Sequence, residues 1–274
     1  MSLPLGGTLA LIGAGKMGGA LLEGWLRQGI DPAQVVAFDP HPPPEMAAVL
    51  KDRNIRHNPD PNTLERLEVM LVAVKPQFMD EALAQAEPLA QHRPLVISVA
   101  AGKTIATFEQ WCGKDAPVVR AMPNTPAAVG RGITAMVANA HVDARQRALA
   151  LALLSAVGEV VTLDDEALLD AVTAVSGSGP AYVFYLTECL AAAGRAAGLD
   201  AALAVQLARA TVAGAGELMR QSGLPAEVLR QNVTSPKGTT QAALEVLMAD
   251  DGLKPLLEKA VAAAQRRSRE LGKG

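Results

Sequence analysis

The glycine-rich stretch LALIGAGKMGGA at residues 9–20 constrains the fold of this chain more than any other feature of its sequence. An apolar run over Thr8–Gly13 has the length of a buried parallel strand, and helical spacing of apolar residues follows over Gly18–Gln28. A glycine turn between such a strand and a helix is typical of nucleotide-binding α/β folds. The stretch therefore predicts a cradle for phosphates, and the question is which nucleotide it holds.

Lys16 raises the possibility of an ATPase phosphate loop, because that loop has a lysine after its last glycine. The residue after the lysine must then be serine or threonine to hold magnesium, but this chain has Met17. A second candidate at Gly102-Lys103-Thr104 lacks the required first glycine, since position 97 is Ile97. Both ATPase interpretations fail.

Gly13, Gly15 and Gly18 instead match the dinucleotide fingerprint G-x-G-x-x-G. The first glycine permits the tight turn, the second lets the backbone approach a pyrophosphate, and the third lets the helix pack on the strand. Asp39 follows the last glycine by 21 positions (39 − 18), as the fingerprint expects. We predict that the turn, with Ala14, Lys16 and Met17, binds a dinucleotide.

Asp39 also bears on the choice between NADH and NADPH. It ends the second predicted strand, Val35–Phe38, where a carboxylate accepts hydrogen bonds from the adenosine ribose 2′-OH and repels a 2′-phosphate. Two observations leave NADPH open: Asp39 stands in a proline-flanked turn where it would cap a helix instead, and His41 would face a phosphate. We expect NADH with NADPH tolerated.

Apolar runs of strand length alternate with helical patterns through the first half of the chain. Further runs lie at Val69–Val74 and Leu95–Val99, with shorter candidates at Val118-Val119 and Thr134–Val137. This alternation predicts an α/β fold with a doubly wound parallel sheet. From Glu166 onward the sequence shows Ala- and Leu-rich helical periodicity instead. We predict a dinucleotide-binding Rossmann domain over residues 1–163 and an all-α dimerisation and substrate domain over 164–274.

The helical half carries many apolar positions for its size, and a second copy of the chain is the simplest partner to cover them. The net charge of −3 argues against a nucleic-acid partner. The sequence has no run of 18 uncharged apolar residues, so we do not expect a membrane span. Cys112 and Cys189 stand far apart, which indicates a reducing compartment and no zinc or other metal site. The start of the chain does not resemble a signal peptide. We expect a cytoplasmic homo-oligomer that acts on a small molecule.

Three further stretches place small residues, prolines and hydroxyl groups at the ends of predicted elements. They are RAMPNTP at 120–126, SGSGPAY at 176–182 and SPKGTT at 235–240. Bracketing prolines make the first a rigid turn that can line a flat ring. The third opens a helix, and its N–H groups, dipole charge and three hydroxyls form a carboxylate receptor.

With GAGKMG, AVKPQ at 73–77 and SVAAG at 98–102, these stretches resemble the pyrroline-5-carboxylate reductase family over nearly the whole chain. The resemblance implies reduction of 1-pyrroline-5-carboxylate to L-proline with NADH or NADPH, the final step of proline biosynthesis. It also implies a Rossmann domain followed by a helical dimerisation domain, and dimers that associate into larger rings such as pentamers of dimers. Because the helices interleave, the cofactor of one subunit is expected to face the SPKGTT loop of the other.

The resemblance also implies site residues by matching position. Gly13 to Gly18 hold the pyrophosphate. Ala73, Lys75 and Pro76 are assigned to the edge of the nicotinamide ribose, and Met122, Pro123 and Asn124 to the nicotinamide itself. Val74 and Ala100 are also assigned to the cofactor. The residues assigned to the substrate carboxylate and ring are Ser235, Lys237, Gly238, Thr239 and Thr240.

Lys237 departs from the family pattern, which commonly has glycine there. If the position needs a positive φ, lysine costs about 1 kcal/mol of strain. If it does not, a cation beside the substrate carboxylate helps to bind it. The sequence leaves the two alternatives open.

Reduction of a cyclic imine needs a hydride at carbon and a proton at nitrogen. A protonated iminium is already electrophilic, so orientation of the two rings supplies much of the effect and the cofactor carries the chemistry. The Thr240 hydroxyl is our candidate partner of the imine nitrogen, acting with water. The alternative, that Thr240 only caps its helix, stays open.

Two other functions share part of the pattern. β-Hydroxyacid dehydrogenases have the same glycine opening and a helical second half, but they use a catalytic lysine on the helix that follows the Rossmann domain. No lysine occurs between Ser176 and Lys237 here. A non-catalytic dinucleotide sensor would bind NADH and only dimerise. Neither alternative accounts for MPNTP and SPKGTT.

Overall fold

The computed structural model describes residues 5–272, which form two compact units. Of the described residues, the first unit comprises 5–177 and 265–272, and the second comprises Ser178–Ala264. The last part of the final helix therefore belongs to the first unit. The predicted boundary between domains 1–163 and 164–274 lies upstream of the boundary between the two units, which follows Gly177. The limits of the two domains stay a prediction.

The first unit contains one eight-stranded sheet. Its strands are β1 (Thr8–Ile12), β2 (Val35–Phe38), β3 (Arg56–His57), β4 (Leu67–Val72), β5 (Leu95–Ser98), β6 (Val118–Met122), β7 (Gly132–Ala138) and β8 (Gly158–Thr162). Their spatial order is β3-β2-β1-β4-β5-β6-β7-β8, and neighbours run parallel except β6 and β7. The order 3-2-1-4-5-6 is that of a Rossmann fold, so the predicted fold class is confirmed.

Helices cover both faces of this sheet. They are α1 (Lys16–Arg27), α2 (Pro44–Asp52), α3 (Met79–Gln85), α4 (Glu87–Ala90), α5 (Ile105–Cys112), α6 (Ala144–Leu154) and α7 (Leu169–Val172). Successive residues of β1 enter two different cores: Leu9 and Leu11 pack in one apolar cluster, Ala10 and Ile12 in the other. A strand buried on both faces has no polar alternation, which is why β1 reads as a continuous apolar run.

The sequence did not predict the edge strands β3 and β8 or the direction of β7. The edge strands β3 and β8 are short or largely exposed, so they lack the apolar run that marks the central strands. β7 runs antiparallel to β6 although a parallel sheet was expected. Residues 123–131, with a single 3-10 turn, are all that joins the two strands, and a parallel crossover needs a longer connection.

The second unit is helical, as predicted. It contains α8 (Gly179–Ala196), α9 (Ala201–Ser222), α10 (Ala226–Asn232), α11 (Thr239–Leu247) and most of α12 (Leu253–Leu271). Small residues, Ala191, Ala204 and Ala208, are buried where α8 packs on α9. A groove of about 550 Å³ between these helices is lined by apolar side chains such as Val183, Phe184 and Val212. A single chain thus leaves a large apolar surface exposed in this unit, which fits the expected partner copy.

Within residues 5–272, no helix combines the length and apolar character that a membrane crossing requires. The same residues contain no group of three or more His, Cys, Asp and Glu side chains that could hold a metal ion. Cys112 and Cys189 are both free thiols.

Candidate active site

The five central strands of the first unit end together at one edge of the sheet. Paired residues at these ends are Ile12 with Phe38 and Val72, and Ser98 with Val72 and Arg120. Because the strands are parallel, the loops that follow them share the carboxyl edge, where Rossmann folds bind ligands. The loops at this edge carry the glycine turn, Asp39, Ala73 to Pro76, Ala100 and Met122 to Asn124. The sheet therefore brings together all the cofactor residues predicted from the sequence.

Two glycines of the turn are required by the fold itself. Gly13 adopts φ +91°, and a Cβ there would lie 2.8 Å from Val74 Cγ1. A Cβ at Gly18 would lie 2.0 Å from the carbonyl oxygen of Gly13, so a larger residue would push α1 off the strand. These contacts explain the first and third glycines without a ligand.

Gly15 has a different reason to be glycine. Its φ of −70° suits any residue, and a Cβ there would meet no protein atom within 4 Å. Gly15 is the N-cap of α1, and no side chain caps that helix end or adds negative charge to its first turn. The N–H groups and positive dipole end of α1 are therefore available to an anion, and no contact within the described protein accounts for glycine at this position.

Asp39 is held by the glycine turn. Its Oδ2 accepts a hydrogen bond from the N–H of Ala14 (2.7 Å), and its Oδ1 accepts one from the N–H of His41 (2.9 Å). The alternative that Asp39 caps a helix is not observed, because the N-cap of α2 is Pro43. Each carboxylate oxygen keeps further acceptor capacity, so the group can still accept from ribose hydroxyls.

Residues at the end of β3 and just after it support Asp39, and they were not predicted from the sequence. Asn58, in the left-handed region at φ +47°, accepts a bond from the Asp39 N–H and donates one to the Asp39 carbonyl, both at 2.9 Å. His57 Nε2 donates to the same carbonyl (2.8 Å). One indication of this role was present in the sequence: asparagine often adopts a left-handed backbone conformation, and its side chain often forms hydrogen bonds with nearby backbone groups.

The loops after β4 and β5 place the next predicted residues. Ala73 donates its N–H to the carbonyl of Ile12 (2.8 Å), which joins this loop to β1 beside the glycine turn. Lys75 and Pro76 are exposed and begin a 3-10 turn, whereas Ala100 is buried and donates its N–H to Ser98 Oγ (3.3 Å). The structure thus leaves Lys75 and Pro76 accessible to a ligand and buries the Ala100 side chain.

Met122, Pro123 and Asn124 end β6 at the same edge. The Asn124 side chain is only 8% exposed, donating to the carbonyl of Ser176 (3.1 Å) and accepting from the N–H of Ile133 (3.0 Å). Asn124 therefore fixes the turn by linking it to β7 and to the segment Thr173–Gly177, a π-helical turn. Its predicted place beside the nicotinamide stays a prediction.

In the second unit, the residues predicted to bind substrate surround the N-terminus of α11. Gly238 is its N-cap, no side chain caps it, and a Cβ on Gly238 would lie 2.4 Å from Ser235 Oγ. Among the described residues, no protein group is hydrogen-bonded to the hydroxyls of Ser235, Thr239 or Thr240. Thr240 is the second helical residue, so it does not serve as the cap of α11.

Lys237 adopts φ +60°, which answers one question that the sequence left open: the position does need a left-handed backbone. The Lys237 N–H donates to Gln241 Oε1 (2.7 Å), and this bond supports the unusual conformation. The side chain is exposed, so its charge is accessible beside the N-terminus of α11.

Two family descriptions match the chain. Residues 166–271 match pyrroline-5-carboxylate reductase dimerisation, and residues 8–102 match NADP oxidoreductase, coenzyme F420-dependent. Curated relatives include the pyrroline-5-carboxylate reductases of Pseudomonas aeruginosa, with 41% identity over 99% of this chain and 98% of the relative. That of Synechocystis has 42% identity over 100% of both chains.

Solved structures of pyrroline-5-carboxylate reductases are also similar to this chain. The pyrroline-5-carboxylate reductase of Coxiella burnetii has a TM-score of 0.88 and 33% identity, covering 98% of this chain and 99% of that one. The Plasmodium falciparum pyrroline carboxylate reductase, solved with NADP bound, has a TM-score of 0.81 and 28% identity over 97% and 98%. Both the fold and the sequence of this chain are therefore shared with these enzymes.

Proposed function

Because this chain belongs to the pyrroline-5-carboxylate reductase family, we propose how its own residues carry out the reduction of 1-pyrroline-5-carboxylate to L-proline with NAD(P)H. The family membership favours this activity over the β-hydroxyacid dehydrogenase alternative. The roles of single residues are our proposal, and they rest on the geometry of the two units described above.

The carboxyl edge of the sheet fits NAD(P)H. The uncapped N-terminus of α1 and the open backbone of Gly15 suit a pyrophosphate, and Asp39 beside Ala14 suits a ribose diol. Bound there, NAD(P)H supplies the hydride. Lys75, Pro76 and Met122 lie at the ends of β4 and β6, where they would contact the nicotinamide half.

Asp39 favours NADH over NADPH in this proposal. Its carboxylate is fixed by two backbone N–H donors, and Asn58 holds its backbone, so the negative charge cannot move aside without breaking several bonds. A 2′-phosphate at the same place would meet like charge. NADPH remains a usable cofactor, bound less tightly than NADH.

The N-terminus of α11 is the proposed receptor for the substrate carboxylate. N–H groups of its first turn, the hydroxyls of Ser235 and Thr239, and the Lys237 ammonium all favour an anion. The Thr240 hydroxyl is the proposed hydrogen-bond partner of the imine nitrogen, acting with water. Gly238 is needed because a side chain would collide with Ser235.

Little acid–base machinery is required of the protein. The substrate imine is basic, and its protonated form accepts a hydride at carbon without further activation. The chain therefore acts mainly by orienting the substrate ring and excluding alternative poses, which is worth several kcal/mol in such reactions.

The observation that carries the proposal is the convergence of the glycine turn, Asp39 and the Met122-Pro123-Asn124 turn on one sheet edge. The test follows NADH and NADPH oxidation separately by absorbance, with and without 1-pyrroline-5-carboxylate. We expect imine-dependent oxidation with both, a lower KM for NADH, and L-proline as product. Binding of NADH without oxidation would support the sensor alternative instead.

The assembly is part of the proposal. The dimerisation match supports a homo-oligomer, and we propose dimers that associate further into pentamers of dimers in the cytoplasm. Light scattering distinguishes two from ten copies of the 28.4 kDa chain. The expectation that one subunit's cofactor faces its partner's SPKGTT loop stays a prediction. Mixing Gly15→Val subunits with Thr240→Ala subunits tests it: activity rises above that of either variant alone only if both subunits build one site.

A further inference from the structure

A polar contact in the first unit holds the end of α12, and the proposed reaction does not involve the residues that make it. Ser268 is 8% exposed, and its hydroxyl donates to Asp170 Oδ1 at 2.6 Å. Arg269 Nε lies 3.8 Å from the other oxygen of the same carboxylate. Leu271 packs on Gly102, where a Cβ would come within 3.2 Å of the Leu271 carbonyl oxygen. A partly buried hydrogen bond to a carboxylate links the two elements that it joins.

Asp170 lies in α7, which continues directly into the π-helical turn Thr173–Gly177. Two hydroxyls of the turn bond back to α7: Thr173 Oγ1 donates to the Leu169 carbonyl (2.7 Å) and Ser176 Oγ to the Val172 carbonyl (3.0 Å). π-Helical turns are rare and are found frequently at functional sites. The turn and α7 are therefore linked as one piece, and Ser268 holds that piece at Asp170.

The other side of the π-helical turn touches the residues proposed for the nicotinamide. Asn124 Nδ2 donates to the Ser176 carbonyl (3.1 Å), and a Cβ at Gly177 would lie 2.7 Å from Met122 Cε. These contacts join the turn to the end of β6 through one hydrogen bond and through the Met122 side chain. A continuous path of bonded and packed groups thus leads from Ser268 through Asp170 and the π-helical turn to Met122 and Asn124.

We propose that Ser268 and Asp170 are positioning residues for hydride transfer. By holding α7, they fix the π-helical turn, which in turn fixes the Met122-Pro123-Asn124 turn. This inference rests on the proposed function, because it takes that turn to contact the nicotinamide. Cofactor affinity depends mainly on the glycine turn and Asp39, at the ends of β1 and β2, so loss of the anchor lowers kcat more than it weakens cofactor binding.

The test compares Ser268→Ala and Asp170→Ala with the wild type in the full-length oligomer. We expect kcat for 1-pyrroline-5-carboxylate to fall about tenfold, since small misplacements of reacting groups have effects of that order or larger. The Kd for NADH, measured by fluorescence, should stay within about twofold, because the groups that bind most of the cofactor are untouched. Ser268→Thr keeps the hydroxyl and should restore kcat.

Arg267→Ala is the matched control, because the Arg267–Glu270 ion pair lies on the same helix end and is exposed. It should leave kcat unchanged. Should Ser268→Ala fail to fold, the near-isosteric Ser268→Cys, a weaker donor, gives the same comparison.

Unchanged kcat in both alanine variants, a rise in the cofactor Kd that matches the fall in kcat, or failure of Ser268→Thr to restore kcat would each overturn the inference. Failure of the proposed function is separate from these outcomes. It would show as a wild-type protein that does not oxidise NAD(P)H with the imine at all.

Discussion

Replacing Lys237 with glycine should make the protein more stable and its substrate binding weaker. Lys237 adopts φ +60°, a conformation that costs a non-glycine residue about 1–2 kcal/mol. Glycine removes that strain, but it also makes the unfolded chain more flexible, which offsets about 0.4–1 kcal/mol. The bond from the Lys237 N–H to Gln241 is made by the backbone and survives the change. The net expected gain is about 0.5–1 kcal/mol, or roughly 1–4 °C in Tm for a chain of this size.

The same change removes an accessible positive charge from the proposed carboxylate receptor. Exposed ion pairs contribute about 0.2–1 kcal/mol, so KM for 1-pyrroline-5-carboxylate should rise by at most about fivefold, with kcat little affected. Lys237→Gln separates the two effects, because it removes the charge and keeps the strain. It should raise KM similarly without raising Tm.

Arg93→Gly is the matched control. Arg93 is also a long cation with a positive φ, at +49°, but it precedes β5 in the first unit. It should raise Tm and leave KM unchanged. Thermal denaturation at fixed protein concentration and steady-state kinetics measure both quantities. A Lys237→Gly protein with an unchanged or lower Tm would refute the strain argument, and an unchanged KM would refute the role of the charge.

Other substitutions test separate parts of the site. Thr240→Ala should lower kcat about tenfold or more while the Kd for NADH stays constant, and an unchanged rate would remove the role of the hydroxyl. Asp39→Ser should shift the ratio of kcat/KM toward NADPH by about tenfold, and an unaltered ratio would show that Asp39 does not choose the cofactor. Gly15→Ala should keep its Tm but weaken NADH binding, whereas Gly18→Ala should lower Tm; equal behaviour of the two would contradict their separate roles. Burial raises the pKa of the Cys112 thiol to about 12, so at pH 8 the thiol is protonated and iodoacetamide should modify it only very slowly; rapid modification at that pH would contradict its burial.

The parts of the fold predicted from the sequence are those in which local pattern and burial agree. Strands such as β1 and β4 are covered on both faces, so they appear as apolar runs between glycine and proline signals. β3 and β8 lie at the sheet edges and lack that signal. The direction of β7 follows from the short connection after β6, and its antiparallel pairing leaves no mark in the composition of the strand itself.

In the candidate site, too, residues with a local role were predicted and residues with distant partners were not. Gly13, Gly15 and Gly18 were identified by spacing because each meets a local steric or electrostatic need. Asn58 and Ser268 were missed because their importance comes from partners far along the chain: Asn58 holds Asp39, and Ser268 holds Asp170. The backbone conformation of Lys237 was undecided for a related reason, since its left-handed conformation depends on how the loop closes onto Gln241.

The fate of the hydride tests most directly whether the protein transfers it from the nicotinamide to the imine. With NADH deuterated at both C4 positions, 1-pyrroline-5-carboxylate and the wild-type protein, we expect L-proline with deuterium at C5, in amounts equal to the NADH oxidised. Mass spectrometry of the product measures this. Proline without deuterium, or NADH oxidation without proline, would contradict direct transfer from a nicotinamide at this sheet edge to the cyclic imine.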